Sequence, residues 1–289
     1  MKSIYYFLFA ALTLVSCETI IPFEDKDTQS LITMHAELSE GDSIVAHLSR
    51  SVSILDAGGP QILDSAKVLM RLNGGSWDTL THLFKGFYAP MASSGNLFAQ
   101  ADGFYEFEAY HTGLDSVSGH ATVPMKPVVL SVDSINSGVI PRGGWSYAYR
   151  EFTLVMSDSG QAGYYRIEAY QRLRGTAIIP SYPLEVGSDD ILVSAGGGDQ
   201  FKTSLLFSNE SFLNTNRSID VSVYGVEPNS GMEIVFKLTK LDLSSYLYDV
   251  TLEKYQMGSG PFTQSVVTVY NNVENGLGVV CAKSSIWVF

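Results

Sequence analysis

Short runs in which apolar and polar residues alternate recur along the chain, separated about every 8 to 15 residues by turn-forming Gly, Asn, Asp and Ser. That period constrains the fold to packed β-sheets. In residues 43–50, Ile44, Ala46 and Leu48 fall on one side and Ser43, Val45, His47 and Ser49 on the other. In residues 103–110, Tyr105, Phe107 and Ala109 share a face. The run 66–72 ends at Asn73-Gly74-Gly75, and Asn-Gly between strand-like runs signals a hairpin. Further strands are expected over 31–36, 151–156, 164–173, 201–207, 219–226, 232–241, 265–270 and 277–289, with a glycine-rich loop at 195–199. One segment has a different period. Asp242 can cap a helix on which Leu243, Tyr246, Leu247, Val250 and Lys254 line one side, and Gly258-Ser259-Gly260-Pro261 stops it.

A chain of 289 residues is too long for one ordinary sandwich and suits two domains. Pro124, Pro127 and the polar stretch 133–142 mark a boundary near residue 126. The expected architecture is mainly all-β: two β-sandwich domains, 31–126 and 127–289, the second with one short helix near 243–257. The net charge of −12, with no cluster of Lys or Arg, disfavours nucleic acid as a partner, because phosphate binding needs concentrated positive charge. An anionic membrane surface would also repel such a body.

The N-terminus reads as an address. Lys2 precedes a dominantly apolar run of 12 residues, 4–15, which is too short to span a bilayer. Leu14, Ser16 and Cys17 then stand where a lipoprotein signal peptidase needs a branched residue, a small residue and the lipidated thiol. Residues 1–16 are expected to be a signal peptide, with Leu14 and Ser16 as peptidase recognition residues. Cys17 is the lipidation site and 17–30 a flexible tether. Two or three acyl chains, palmitate among them, would make attachment effectively permanent. Glu18 after the cysteine points to the outer membrane; which face is left open. Cys281, in an apolar run, reads as a small buried hydrophobe.

The lipobox, Leu48-Ser49-Arg50-Ser51, Gly86-Phe87-Tyr88, Gly103-Phe104-Tyr105 and Ala121-Thr122-Val123-Pro124 before Val132-Asp133-Ser134 fit one pattern. So do 206–212, Tyr246-Leu247-Tyr248, Gly260-Pro261-Phe262 and Asn271-Asn272-Val273-Glu274-Asn275-Gly276-Leu277-Gly278. Together they resemble a family of Bacteroidota outer-membrane lipoproteins, domain of unknown function 4249, over essentially the whole chain; Val280-Cys281 and Asn209 depart from its usual residues. The resemblance implies an immunoglobulin-like first domain, an outer-membrane location and association with a TonB-dependent transporter. It carries no catalytic residues.

No chemistry-bearing motif stands out from the residues. Gly41-Asp42-Ser43 looks like an esterase nucleophile block, but all five histidines lie in the first half and none forms the partner block, so a turn serine is expected. No metal-binding spacing occurs, so neither metal nor cofactor is expected. His35 and His47 could be neighbours across a hairpin; Glu106 and Glu108 share a strand face. Trp145, Tyr147 and Tyr149 project to one side of an extended segment flanked by Arg142 and Arg150. They are the candidate ligand-contact row, against the alternative of packing between sheets or domains. Five runs pair Asp with Ser or Thr and an apolar residue, which looks like an O-glycosylation pattern of exported Bacteroidota proteins. Ser43, Ser65, Thr79, Ser116 and Ser134 would be the acceptors, on exposed turns. The expected function is a non-enzymatic, lipid-anchored accessory or binding component of an outer-membrane transport system. The alternatives are a surface hydrolase or glycan-active enzyme and a structural adhesin.

Overall fold

A computed structural model describes residues 29–289 apart from 54–57, 94, 158–159, 161, 178–181, 191–192, 194–201, 227–230, 258–266 and the side chain of Arg142. Leu14, Ser16, Cys17, most of the tether and the loop 195–199 therefore lie outside the described residues. The described chain is mainly β, as the alternation requires.

The first sandwich contains β1 (Ile32–Ser39), β2 (Ala46–Arg50), a short β3 (Gln61–Ile62) beside β2, β4 (Lys67–Leu72), β5 (Asp78–Phe84), β6 (Phe87–Ala89), β7 (Phe104–Tyr110) and β8 (Val117–Thr122). They bond in the order β1-β2-β6-β5-β4-β7-β8. Strand β5 pairs with both β6 and β4, so the sheet turns back on itself and encloses Ile32, Met34, Leu48, Met70, Tyr105 and Phe107. The Asn73-Gly74 turn forms where expected, both residues at positive φ, and Gly75 N–H donates to Leu72 O.

The rest of the chain forms β9 (Val128–Arg142), β10 (Trp145–Ser157), β11 (Tyr164–Leu173), β12 (Glu185–Gly187), β13 (Leu205–Ser208), β14 (Arg217–Tyr224), β15 (Met232–Leu241), helix α1 (Leu243–Met257) and β16 (Leu277–Val288). A four-stranded sheet, β12-β14-β10-β9, packs on β13-β11-β15-β16 through a second core, where Phe152 meets Phe236 edge-on at 5.1 Å. Helix α1 begins as expected: Asp242 Oδ1 accepts the Ser245 N–H at 2.7 Å.

Strand β16 joins the two cores. It runs parallel to β1 from Thr33↔Leu277 to Ser39↔Lys283, then continues antiparallel to β15 from Leu241↔Lys283 to Phe236↔Val288. Its even-numbered side chains face the cores: Val280 and Ala282 enter the first and Ile286 packs on the second. Between them the buried Ser284 hydroxyl donates to Pro124 O, where the chain crosses from β8 to β9. The expected boundary near residue 126 lies at this crossing, yet the first core also takes residues from the far end of the sequence.

Two expectations fail. The polar stretch 133–142, read as a boundary, is part of the 15-residue strand β9. It is an edge strand that outruns its core, so no buried face imposes an apolar period on it. Of the strand expected over 265–270, the described residues 267–270 are not extended in a sheet; Tyr270 N–H instead donates to Thr251 Oγ1 of α1 at 2.9 Å.

Candidate functional site

The closing Asn-rich motif is a structural clasp. Asn272 sits beside β16 and treats Val280 as a strand would: its Oδ1 accepts the Val280 N–H at 2.8 Å and its Nδ2 donates to Val280 O at 2.7 Å. The same Nδ2 lies 3.0 Å from Ser244 Oγ on α1. Asn271 Nδ2 reaches Gly276 O at 3.2 Å, closing the turn. Gly278 has φ +114, and a Cβ there would stand 2.0 Å from Met34 O; one at Gly276 would stand 2.6 Å from Ile32 O. The glycines let β16 lie against β1, and Asn272 saturates the backbone that β1 does not reach.

The odd-numbered residues of β16 face away from the cores and are covered by α1. Under the helix lies a cavity of about 70 Å³, lined by Glu37, Arg166, Ser245, Asp249, Cys281 and Lys283, among others. Lys283 pairs with Glu37, and Arg166 Nη1 donates to Asp249 Oδ2 at 2.9 Å. Arg166 Nε and Glu168 Oε2 stand 3.6 Å apart, and neither has a hydrogen-bond partner among the described residues. Burial raises the Asp249 carboxyl above the usual carboxylate range against the pull of Arg166. Burial lowers the Lys283 amine. His35, across the sheet, is lowered by burial and then by the charges of His47 and Lys283. The Cys281 thiol, 3% exposed, is pushed up to about 12 by burial. A thiol so placed is no nucleophile at neutral pH. These groups hold the helix to the sheet across the seam between the cores.

The other assembly is the β9–β10 hairpin. Gly143 and Gly144, both at positive φ, make its two-residue turn, with Arg142 paired to Trp145. Its base, Val128↔Ser157, adjoins the crossover at Pro124. Phe152 then lies beside Phe236, the partner of the last strand residue Val288, so the hairpin leads away from the first sandwich. Strand β14 pairs with β10 only as far as Tyr149. From there to the tip the hairpin is a ribbon of two strands, and β10 alone spans about 40 Å. Because β1 and β16 are parallel, chain entry at Ile32 and the hairpin tip lie at opposite ends of the molecule.

Trp145, Tyr147 and Tyr149 share one face of this ribbon, and it is the outer face. The alternate residues Phe152, Leu154 and Met156 enter the core. The alternative that the row packs between sheets does not hold: Trp145 is 76% exposed. The Tyr149 ring lies across Gly138, where a Cβ would meet it at 2.8 Å, and stands 6.2 Å from Tyr224 at 43°. Tyr224, its neighbour on β14, has no local signal in the sequence.

The remaining sequence candidates separate. Ser43, Ser65, Thr79, Ser116 and Ser134 are all exposed, but Thr79 lies within β5 and Ser134 within β9, so these two are not on turns as expected. Asp42 N–H bonds to Ser39 O, so Gly41-Asp42-Ser43 sits at a turn. His35 and His47 are direct cross-strand partners; the His47 ring lies 4.6 Å from Phe87, tilted by 52°, and His35 lies 6.1 Å from Tyr248. Glu106 takes two 2.6 Å bonds from Arg71. Ser65 Oγ lies 3.3 Å from His111 Nε2, whose Nδ1 faces Thr112 O. That pair is exposed and its second ring nitrogen meets a carbonyl in place of a carboxylate. No group of three His, Cys, Asp or Glu among the described residues could hold a metal ion.

These features define an all-β chain whose last strand is shared by two cores. The chain belongs to the family described as Domain of unknown function (DUF4249), which matches residues 18–285. No curated protein matches it. Solved structures with some similarity include a Salmonella alpha-2-macroglobulin mutant, 12% identical over 74% of this chain and 14% of that one, TM-score 0.24. A DUF4785 family protein from Legionella pneumophila is 12% identical over 75% and 54%, TM-score 0.25. The trypsin-activated alpha-2-macroglobulin from Escherichia coli is 10% identical over 75% and 15%, TM-score 0.20. The chain thus spans about half or less of the length of these structures.

Proposed function

We propose that the protein is a lipoprotein of the Bacteroidota outer membrane, anchored through acylated Cys17, that serves a TonB-dependent transport system as a non-enzymatic binding component. The observation that carries the binding role is the outer-face row Trp145, Tyr147 and Tyr149, presented on a ribbon at the end opposite to chain entry. A body tethered through its N-terminus then holds this row away from the bilayer. Confinement to a membrane raises effective concentration, so a weak contact suffices for assembly. Exposed aromatic side chains bring large contact area at low entropic cost.

The test is affinity capture of the full chain from solubilised outer membranes. Co-elution of a stoichiometric β-barrel transporter, lost in the Trp145→Ala/Tyr147→Ala variant, is the expected result. Capture of host or matrix proteins without a transporter makes the chain an adhesin. Ester or glycan hydrolysis that disappears in Ser65→Ala makes it an enzyme.

A further inference from the structure

The outer face of the β12-β14-β10-β9 sheet carries more than the aromatic row. Register places Tyr149, Glu151 and Thr153 of β10 on it, beside Tyr224, Ser222 and Asp220 of β14. Glu185 of β12 stands opposite Tyr224. On β9, Asn136 pairs with Glu151 and Asp133 with Thr153. Four carboxylates, Asp133, Glu151, Glu185 and Asp220, thus share the face with two tyrosine rings, and Asp220 also accepts from Thr153 Oγ1 at 2.5 Å. Between Tyr149 and Thr153 and across their partners there is no Lys or Arg on this side. Arg150 belongs to the opposite side, in register with the core residue Val223. At the tip, Arg142 is the register partner of Trp145.

Strand β9 has one open side along its 15 residues: it ends the sheet order, with β10 its only paired neighbour among the described strands. Two register shifts bend its first half, but from Asn136 to Arg142 its pairing is regular. On the side opposite the carboxylates this stretch exposes Val139, 62% accessible. A long open edge with exposed apolar side chains invites another strand except where a bulge or a proline blunts it; here the register shifts precede Asn136 and Pro141 lies near the tip, which leaves Asn136 to Ile140 open. We propose that this edge and face dock an extended segment of another polypeptide in which lysine or arginine alternates with apolar residues. The segment's backbone adds to β9. One set of its side chains then lies over Asp133, Glu151 and Tyr149, where carboxylates and ring faces both attract a cation. The other set meets Val139 and Ala148.

Charge and geometry select this occupant. A neutral sugar brings no positive charge to balance the four carboxylates, and the 43° tilt between Tyr149 and Tyr224 denies it a flat platform. The proposal rests on the binding role argued above but is tested apart from it. A labelled peptide of alternating Lys and Val is titrated with the full chain in detergent, followed by fluorescence anisotropy. Binding is expected, with affinity falling about tenfold between 50 and 500 mM NaCl as the charges are screened. Asp133→Asn with Glu151→Gln is expected to weaken it about tenfold at low salt, with an unchanged melting curve. A Glu–Val peptide binding as well as the Lys–Val one, or a salt-independent affinity, overturns the proposal. So does a transporter captured equally by the double variant and the unaltered chain, an outcome that leaves the accessory role standing.

Discussion

Replacing Asn272 by alanine isolates the clasp from the rest of the fold. Val280 is fully buried, and its N–H and C=O are both bonded by the Asn272 amide, at 2.8 and 2.7 Å. Alanine leaves one donor and one acceptor unmet inside the protein. Each such loss costs about 1–3 kcal/mol, so the pair costs roughly 2–5 kcal/mol once some relaxation is allowed. For a chain of this size a kilocalorie moves the melting temperature by about 2–4 °C, which gives a drop on the order of 10 °C. Thermal unfolding by circular dichroism measures the drop, and hydrogen exchange at the Val280 amide locates it. Asn272→Asp serves as control: it keeps an acceptor for the Val280 N–H but sets a carboxylate against Val280 O, so it is expected to do no better than alanine. A shift under 2 °C in Asn272→Ala, with the Val280 amide still protected, would refute the reading of this side chain as a strand surrogate.

The Cys17→Ala chain is expected to leave the membrane fraction and lose palmitate incorporation, measured by metabolic labelling; retention on membranes contradicts the anchor. Gly278→Val is expected to cost more than any other single change in the closing motif, because its Cβ would stand 2.0 Å from Met34 O at a φ of +114; soluble yield and melting temperature report it. His35 has its folded pKa held below 6.5, so its contribution to stability is present above 6.5 and lost as pH falls through the folded value. The melting temperature of the native chain should therefore fall more steeply from pH 6.5 to 5 than that of His35→Gln, and equal slopes would contradict the assignment. Cys281 is expected to resist a maleimide in the folded chain at pH 7 and to react fully in 6 M guanidinium; rapid native labelling would mean that its pocket opens.

Much of the β framework is legible in the residues because each strand with a buried face announces it. Tyr105, Phe107 and Ala109 alternate in the sequence and all three are fully buried. The bounds read for 164–173 and 232–241 are those of β11 and β15. Asp242 marks the start of α1 because a cap is a local contact. The aromatic row is also legible, since three alternating rings on one strand share a side whatever the strand packs on. That they lie outside the core was not: parity gives a common face but not which face is wet. The polar part of β9, 133–142, marks a boundary in the sequence instead of a strand for the same reason in reverse, because an edge that overhangs its core needs no apolar period.

By itself the sequence determined the period-2 strands, the helix and its cap, and the glycines that tolerate positive φ, all matters settled within a few residues. Only the tertiary structure decided that β16 runs parallel to β1 and antiparallel to β15, that Asn272 completes its backbone, and that Arg166, Asp249 and Lys283 meet beneath α1. The physical reason is range. Turns and caps are selected by neighbouring residues, whereas the partner of a strand buried on both faces is selected by shape and hydrogen bonding across the whole chain, and nothing in its own residues records the choice.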